Sequence, residues 1–122
     1  MSGEKIVLII EDNDAIGSMY QTALMDSGFV TECILDGRVA TERLKEVVPH
    51  LVILDMNLPH VSGHYILKQI RADDRLADTY VIIVTANAPM AEALKPQLTE
   101  RDAIMIKPVS PIELRDLAMT LP

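Results

Sequence analysis

The sequence predicts an α/β domain built on a parallel sheet. Five short apolar runs alternate with stretches of helical period, and four of those runs end on residues able to do chemistry. The runs cover residues 5–10, 29–34, 51–54, 80–84 and 103–106, and most of them are near-continuous in Val, Ile and Leu. Strands buried on both faces read in this way, whereas a half-exposed strand alternates. At 122 residues, with 49% hydrophobic and 24% charged, the chain is expected to form a single folded domain over residues 1–122.

In chain order, the first strand over residues 5–10 stops at Glu11 and Asp12. Ile16, Met19, Tyr20, Ala23 and Leu24 then recur at steps of three and four, which predicts a helix over residues 14–27 with Gly28 at its C-cap. The run 29–34 carries charge and alternates only in part, so it is expected at a sheet edge. Ala40, Leu44, Val47 and Val48 mark a second helix, which Pro49 stops.

The run Leu51 to Leu54 delivers Asp55 to its end, and Met56, Asn57, Leu58 and Pro59 turn the chain away. Gly63 opens a third helix with Ile66, Leu67 and Ile70 on one face, ending near Asp73. The fourth strand stops at Thr85. Pro89 suits a first helical turn and Pro96 an interior break, so the fourth helix should be short, over residues 89–95. The fifth strand stops at Lys107 and Pro108. Ser110 and Pro111 then read as the N-cap and first turn of a last helix carrying Leu114, Leu117, Ala118 and Leu121.

Bulk composition excludes several functions. Eleven Lys and Arg against eighteen Asp and Glu give a net charge of -7 with no basic run, which argues against direct nucleic-acid binding. No apolar stretch approaches the roughly 20 residues a bilayer span needs, so no membrane insertion is expected. The one cysteine, Cys33, has no intrachain partner, and a reducing, cytoplasmic setting is the expectation. Cys33 itself reads as an inert strand residue and His50 as a surface loop residue. His60 and His64, four apart, fall around a turn rather than on an established helix, and no zinc site is expected.

Taken singly, the strand-end residues are commonplace. Glu11 and Asp12 could cap the first helix, Thr85 the fourth, and Lys107 could be a solvated lysine. Taken together they are an acidic pair after the first strand, Asp55-x-x-x-Pro59-x-x-x-Gly63 after the third, Thr85 after the fourth and Lys107-Pro108 after the fifth. This combination resembles the receiver domain of two-component response regulators, over almost the whole chain.

The resemblance implies a flavodoxin-like (βα)5 fold with sheet order 2-1-3-4-5, helices on both faces and a site at the carboxyl edge. It further implies a phosphorylation-dependent signalling switch. Asp55 would accept a phosphoryl group from a sensor histidine kinase or a histidine phosphotransfer protein and signal to a downstream effector. Mg²⁺ would be held by Asp12, Asp55 and the Asn57 backbone carbonyl, with Glu11 acting through a water. Thr85 and Lys107 would contact the phosphoryl oxygens. The chain would thus be no enzyme beyond catalysing its own phosphorylation and dephosphorylation.

Carboxylates gathered at one edge repel unless a cation joins them, and Mg²⁺ leaves coordination positions for a phosphoryl oxygen. Phosphoryl transfer asks mainly for an in-line nucleophile and positive charge on the transferred oxygens. Two other readings use the same residue types. A Mg²⁺-dependent phosphohydrolase resembling the haloacid dehalogenases would place its nucleophile after the first strand and a second Asp two residues on, where this chain has Asn57. A pseudo-receiver would bind partners without phosphorylation. Three positions depart from the receiver pattern: Ile104 stands where an aromatic is usual, Val109 where a Phe often follows Lys-Pro, and Pro96 interrupts the fourth helix. All three are expected on the signalling face.

Overall fold

The computed structural model describes residues 4–122. Five strands, β1 (Ile6–Ile10), β2 (Val30–Ile34), β3 (Leu51–Asp55), β4 (Tyr80–Thr85) and β5 (Asp102–Ile106), form one sheet in the order β2-β1-β3-β4-β5. Every neighbouring pair is parallel. Between them run α1 (Asp14–Met25), α2 (Gly37–Arg43), α3 (Gly63–Ala72) and α4 (Ala88–Leu94), and α5 (Pro111–Thr120) closes the fold.

Alternation along the strands builds two cores. Leu8, Ile10, Val52, Leu54, Val81 and Ile83 face α2, α3 and α4 through Ala40, Leu44, Ile66, Leu67, Ile70 and Leu94. Val7, Ile9, Leu51, Ile53, Ile82 and Val84 face α1 and α5 through Tyr20, Leu24, Leu114 and Ala118. The central strands β3 and β4 are buried at every position, which is why their sequences show no period of two. β2 lies at an edge, as its charged sequence predicts.

Each helix starts just past a strand and is capped by a short polar side chain. Asn13 accepts from the Ile16 amide, Asp36 from Arg38, Ser62 from Tyr65, Asn87 from Met90 and Ser110 from Glu113. Two caps correct the sequence reading: Asn13, not Glu11 or Asp12, caps α1, and Asn87, not Thr85, caps α4. α1 ends at Met25, short of residue 27, and unwinds through a turn to Gly28 at φ +92°, a conformation that glycine adopts without strain. α2 is also shorter than its apolar pattern. The Leu44 carbonyl accepts from Arg75 Nη2 at 2.7 Å rather than from a helical amide, and Val48 is exposed. Pro96 lies in a single 3-10 turn after α4, where the chain leaves the helix.

His50 overturns the expectation of a surface residue. Its backbone amide donates to Ile6 O at 2.9 Å and its carbonyl accepts from Tyr80 N at 3.0 Å, so it joins β1 to β4 through the start of β3. Its ring stacks on Phe29 at 6.4 Å and meets Tyr80 edge-on at 5.4 Å, with Arg101 over the other ring at 4.6 Å. The apolar run of β3 gave no hint of this stack, because its members come from four separate segments.

Burial, then the charges of Lys5 and Arg101, hold the His50 imidazole below its ordinary value of 6.5. The folded state therefore prefers the neutral ring. This contribution to stability is complete above pH 6.5 and is lost as pH falls through the folded value. Thermal unfolding of wild type and His50→Phe should accordingly differ by a constant amount above pH 6.5. Below it, the wild type should lose Tm relative to the variant, and parallel curves down to pH 5 would show that His50 is not buried neutral.

Candidate functional site

Strand register decides which residues meet at the carboxyl edge. Ile10 pairs with Leu54, so the next residues, Glu11 and Asp55, leave the sheet side by side. Asp55 pairs with Val84, and Thr85 with Ile106, so Thr85 and Lys107 complete a row across four strands. The chain goes from β1 out to β2 and returns to β3 on the other side of β1, which opens a crevice beyond these strand ends. The structure thus brings together Glu11, Asp12, Asp55, Thr85 and Lys107, with Asn57 beside them.

Asp55 is 2% exposed. Its Oδ1 accepts from the Asn57 amide at 2.9 Å and its Oδ2 from Lys107 Nζ at 3.2 Å. Lys107 Nζ also lies 3.8 Å from Glu11 Oε1. The lysine is held from behind by its own amide, which donates to Thr85 O at 2.8 Å. Thr85 is fully buried, and its Oγ1 accepts from Asn87 N at 3.0 Å, leaving the hydroxyl proton free to donate elsewhere.

Glu11, also 2% exposed, accepts from Asn13 N at 3.1 Å through Oε2, while its Oε1 is buried without a hydrogen-bond partner. Burial chiefly, with the negative charge of Asp55, pushes its carboxyl up to about 7 against the opposing Asn13 amide and Lys107 charge. Burial first, then the charges of Glu11 and Asp55, raise the phenol of Tyr20, a buried residue of α1. Helical periodicity had marked Tyr20 only as an apolar position.

Glu11, Asp12 and Asp55 each offer a carboxylate oxygen within 4.8 Å of the others, the one such cluster among the described residues. In an octahedron with bonds of roughly 2.1 Å, neighbouring oxygens lie about 3.0 Å apart and opposite ones about 4.2 Å, so the three carboxylates are near enough to close on one ion. The orphaned Glu11 Oε1 and the excess of three carboxylates over one ammonium both fit a hard divalent cation. His60 and His64 are exposed and join no such cluster. Cys33 is half-buried, and burial raises its thiol, as expected of an inert strand residue.

Gly63 explains the spacing of the Asp55 segment. A Cβ there would lie 2.7 Å from Met56 Cα and 3.0 Å from Asp55 O, so only glycine lets α3 start against the end of β3. Periodicity places Gly63 at a helix start but cannot show this approach.

The comparisons agree with this geometry. The family model for the response regulator receiver domain matches residues 7–119. The polar-differentiation response regulator DivK of Brucella anthropi is 32% identical over 106 residues, which are 87% of this chain and 86% of DivK. The phosphate regulon transcriptional regulatory protein PhoB of Rhizobium meliloti is 32% identical over 108 residues, and the match spans 88% of this chain but only 48% of PhoB. In fold, the chain superposes on the chemotaxis response regulator CheY4 of Vibrio cholerae with a TM-score of 0.86, at 22% identity, covering 98% of this chain and 100% of that one. With its 2-1-3-4-5 flavodoxin-like sheet and its strand-end acids, the chain belongs to the response regulator receiver domain family, the phosphorylation-dependent switches of two-component signalling.

Proposed function

We propose that Asp55 is the phosphoryl acceptor of this receiver domain and that Glu11, Asp12, Asp55 and the Asn57 carbonyl hold the Mg²⁺ it needs. The observation that carries the reading is the Asp55 carboxylate itself. It is buried at a strand end, fixed by the Asn57 amide and paired with Lys107. Support for the metal comes from the orphaned Glu11 Oε1 and the three-carboxylate cluster. It comes also from a fold neighbour of TM-score 0.82, a receiver domain of the Pseudomonas aeruginosa sensor histidine kinase PA1611, which is described with magnesium coordinated in its active-site cleft.

Bound there, Mg²⁺ would neutralise the transferred oxygens and orient them for in-line displacement. A carboxylate oxygen of Asp55 attacks phosphorus, and the bond to the donor breaks with its electron pair leaving on the donor atom. An ionised carboxylate needs no general base for this step. Lys107, already 3.2 Å from the acceptor, follows charge onto the phosphoryl oxygens, and the Thr85 hydroxyl donates to one of them. The chain thereby catalyses its own phosphorylation, and attack of water on the acyl phosphate returns the Asp55 carboxylate and releases inorganic phosphate. A histidine kinase or phosphotransfer protein supplies the group, and an effector domain or protein reads the result.

The readout starts at Thr85. Its oxygen holds the Asn87 amide, and Asn87 caps α4 through Met90 N at 2.9 Å, so a shift of Thr85 moves the start of that helix. Ile104 is half-buried against the α3 and α4 core and has no ring to reorient.

Acetyl phosphate with Mg²⁺ should add one phosphoryl group to the wild type by intact mass and none to Asp55→Ala; label that persists in the variant would refute the acceptor. Losing an outer-shell partner typically costs 10–100-fold in metal affinity, so Asp12→Ala should weaken Mg²⁺ by at least about tenfold in titration. Equal affinities would remove Asp12 from the site. With beryllofluoride as phosphoryl mimic, amides from Ala86 to Met90 should shift in wild type and much less in Thr85→Ala. Equal shifts would uncouple Thr85 from α4.

A further inference from the structure

We propose that Gly37 and His60 are positioning residues for phosphoryl transfer, clamping the segment between Asp55 and Gly63 so that the Asn57 backbone keeps its place beside Asp55; this rests on the acceptor assignment above. That segment leaves β3 and must return to start α3. At its inner end, Met56 N donates to Val84 O at 3.1 Å and Asn57 N to Asp55 Oδ1 at 2.9 Å. At its far end, Gly63 sits against Met56.

The outer tip is held differently. Val61 N donates to Pro59 O at 2.7 Å across His60, whose φ is +68°. A three-residue turn with positive φ at its centre is a rare and strained γ-turn, and strain of this kind persists only where neighbours impose it. The neighbour is α2. Gly37, its buried first residue, lies so close that a Cβ there would stand 3.1 Å from Val61 Cβ and 3.2 Å from Val61 O. Val61 and Leu58 in turn pack on the core beneath. His60 is exposed and its side chain makes no hydrogen bond, so its backbone, not its imidazole, does the positioning.

Ala at Gly37 favours the helix through its propensity, while its Cβ presses Val61 outward. Val at His60 disfavours positive φ through β-branching, whereas Asn tolerates it. The two variants therefore act on the segment by independent routes. Because misplacement by about 1 Å can cost a reaction about 100-fold, a displacement of a few tenths of an ångström should slow labelling by acetyl phosphate about tenfold in Gly37→Ala and in His60→Val. His60→Asn should keep the wild-type rate. In metal-free protein, hydrogen exchange of the Asn57 amide should quicken in both slowed variants, with the denaturation midpoint and the central β-strand amides little changed.

Wild-type labelling and wild-type Asn57 exchange in both variants would overturn the proposal. So would a rate loss accompanied by uniformly faster exchange, which would make Gly37 merely structural. If the wild type itself took no label at Asp55, the acceptor assignment would fail instead, and Asn57 exchange alone would judge the clamp.

Discussion

The repulsion between two buried carboxylates, Glu11 and Asp55, is the constraint around which the carboxyl end of this fold is arranged. A parallel sheet forces it: β1 and β3 run side by side in register, so acids placed after each strand must emerge together. Burying such groups unpaired is costly, and the chain answers with Lys107 from β5, two strands beyond Asp55 in the sheet. One lysine does not balance three acids. The comparison with Asp102 is instructive, since its side chain is equally buried. Asp102 takes a two-pronged contact from Arg71 and two further hydrogen bonds from Thr99, so its acceptor needs are met within the protein. Glu11 Oε1 is left open. A buried ion pair that serves only the fold is closed on itself, whereas this one has capacity in reserve for a cation.

What the sequence made legible follows from how local each signal is. The strands were readable because β1, β3 and β4 are buried on both faces and tolerate little besides aliphatic residues. The strand-end acids, Thr85 and Lys107 could be listed from the sequence, but their meeting depends on strand order. Periodicity does not encode that order; the motif resemblance supplied it. The misread positions are those settled by contacts distant in sequence. His50 is enclosed by Phe29 and Tyr80, and the Leu44 carbonyl is taken by Arg75 where α2 stops; Gly37, which no sequence signal marked, is small because of Val61. Asn13 and Asn87 lost the capping role on paper to acidic or hydroxyl neighbours because all of these residue types cap helices well.

The same locality bears on how a signal leaves the site. Thr85 is fully buried, yet its oxygen is already engaged by Asn87, so a new bond from its proton adds to the existing one rather than replacing it. The proposed movement of Thr85 toward Asp55 would therefore carry the α4 cap along. In a receiver with an aromatic at the position of Ile104, a ring can swing into the space so vacated. Ile104 pairs with Ile83 in the sheet and packs on the core, where an aliphatic side chain can only repack in place. On that proposal, the conformational difference available to a partner would be concentrated in the backbone from Ala86 to Met90, on the side of the molecule where Pro96 ends the helical run.

The two ends of the sheet divide the physical work. At the amino ends of the strands, Phe29, His50, Tyr80 and Arg101 stack in sequence, Arg71 ties α3 to Asp102 and the Thr79 carbonyl, and the Thr79 hydroxyl donates to Pro49 O at 2.8 Å. The carboxylate of Asp102 and the Thr79 hydroxyl are satisfied there, although the His50 Nε2 is buried without a hydrogen-bond partner. At the carboxyl ends, like charges are crowded, one acid oxygen is unpartnered and His60 holds a strained backbone. Energy stored at one end must be offset elsewhere, because a domain of this size is stable by only about 5–15 kcal/mol. The stacking and ion pairing of the lower edge offset part of the cost of charge and strain at the upper edge. On the proposed reading, changes at the site would therefore move α4 and the Asp55 segment while the strands that carry them stay in place.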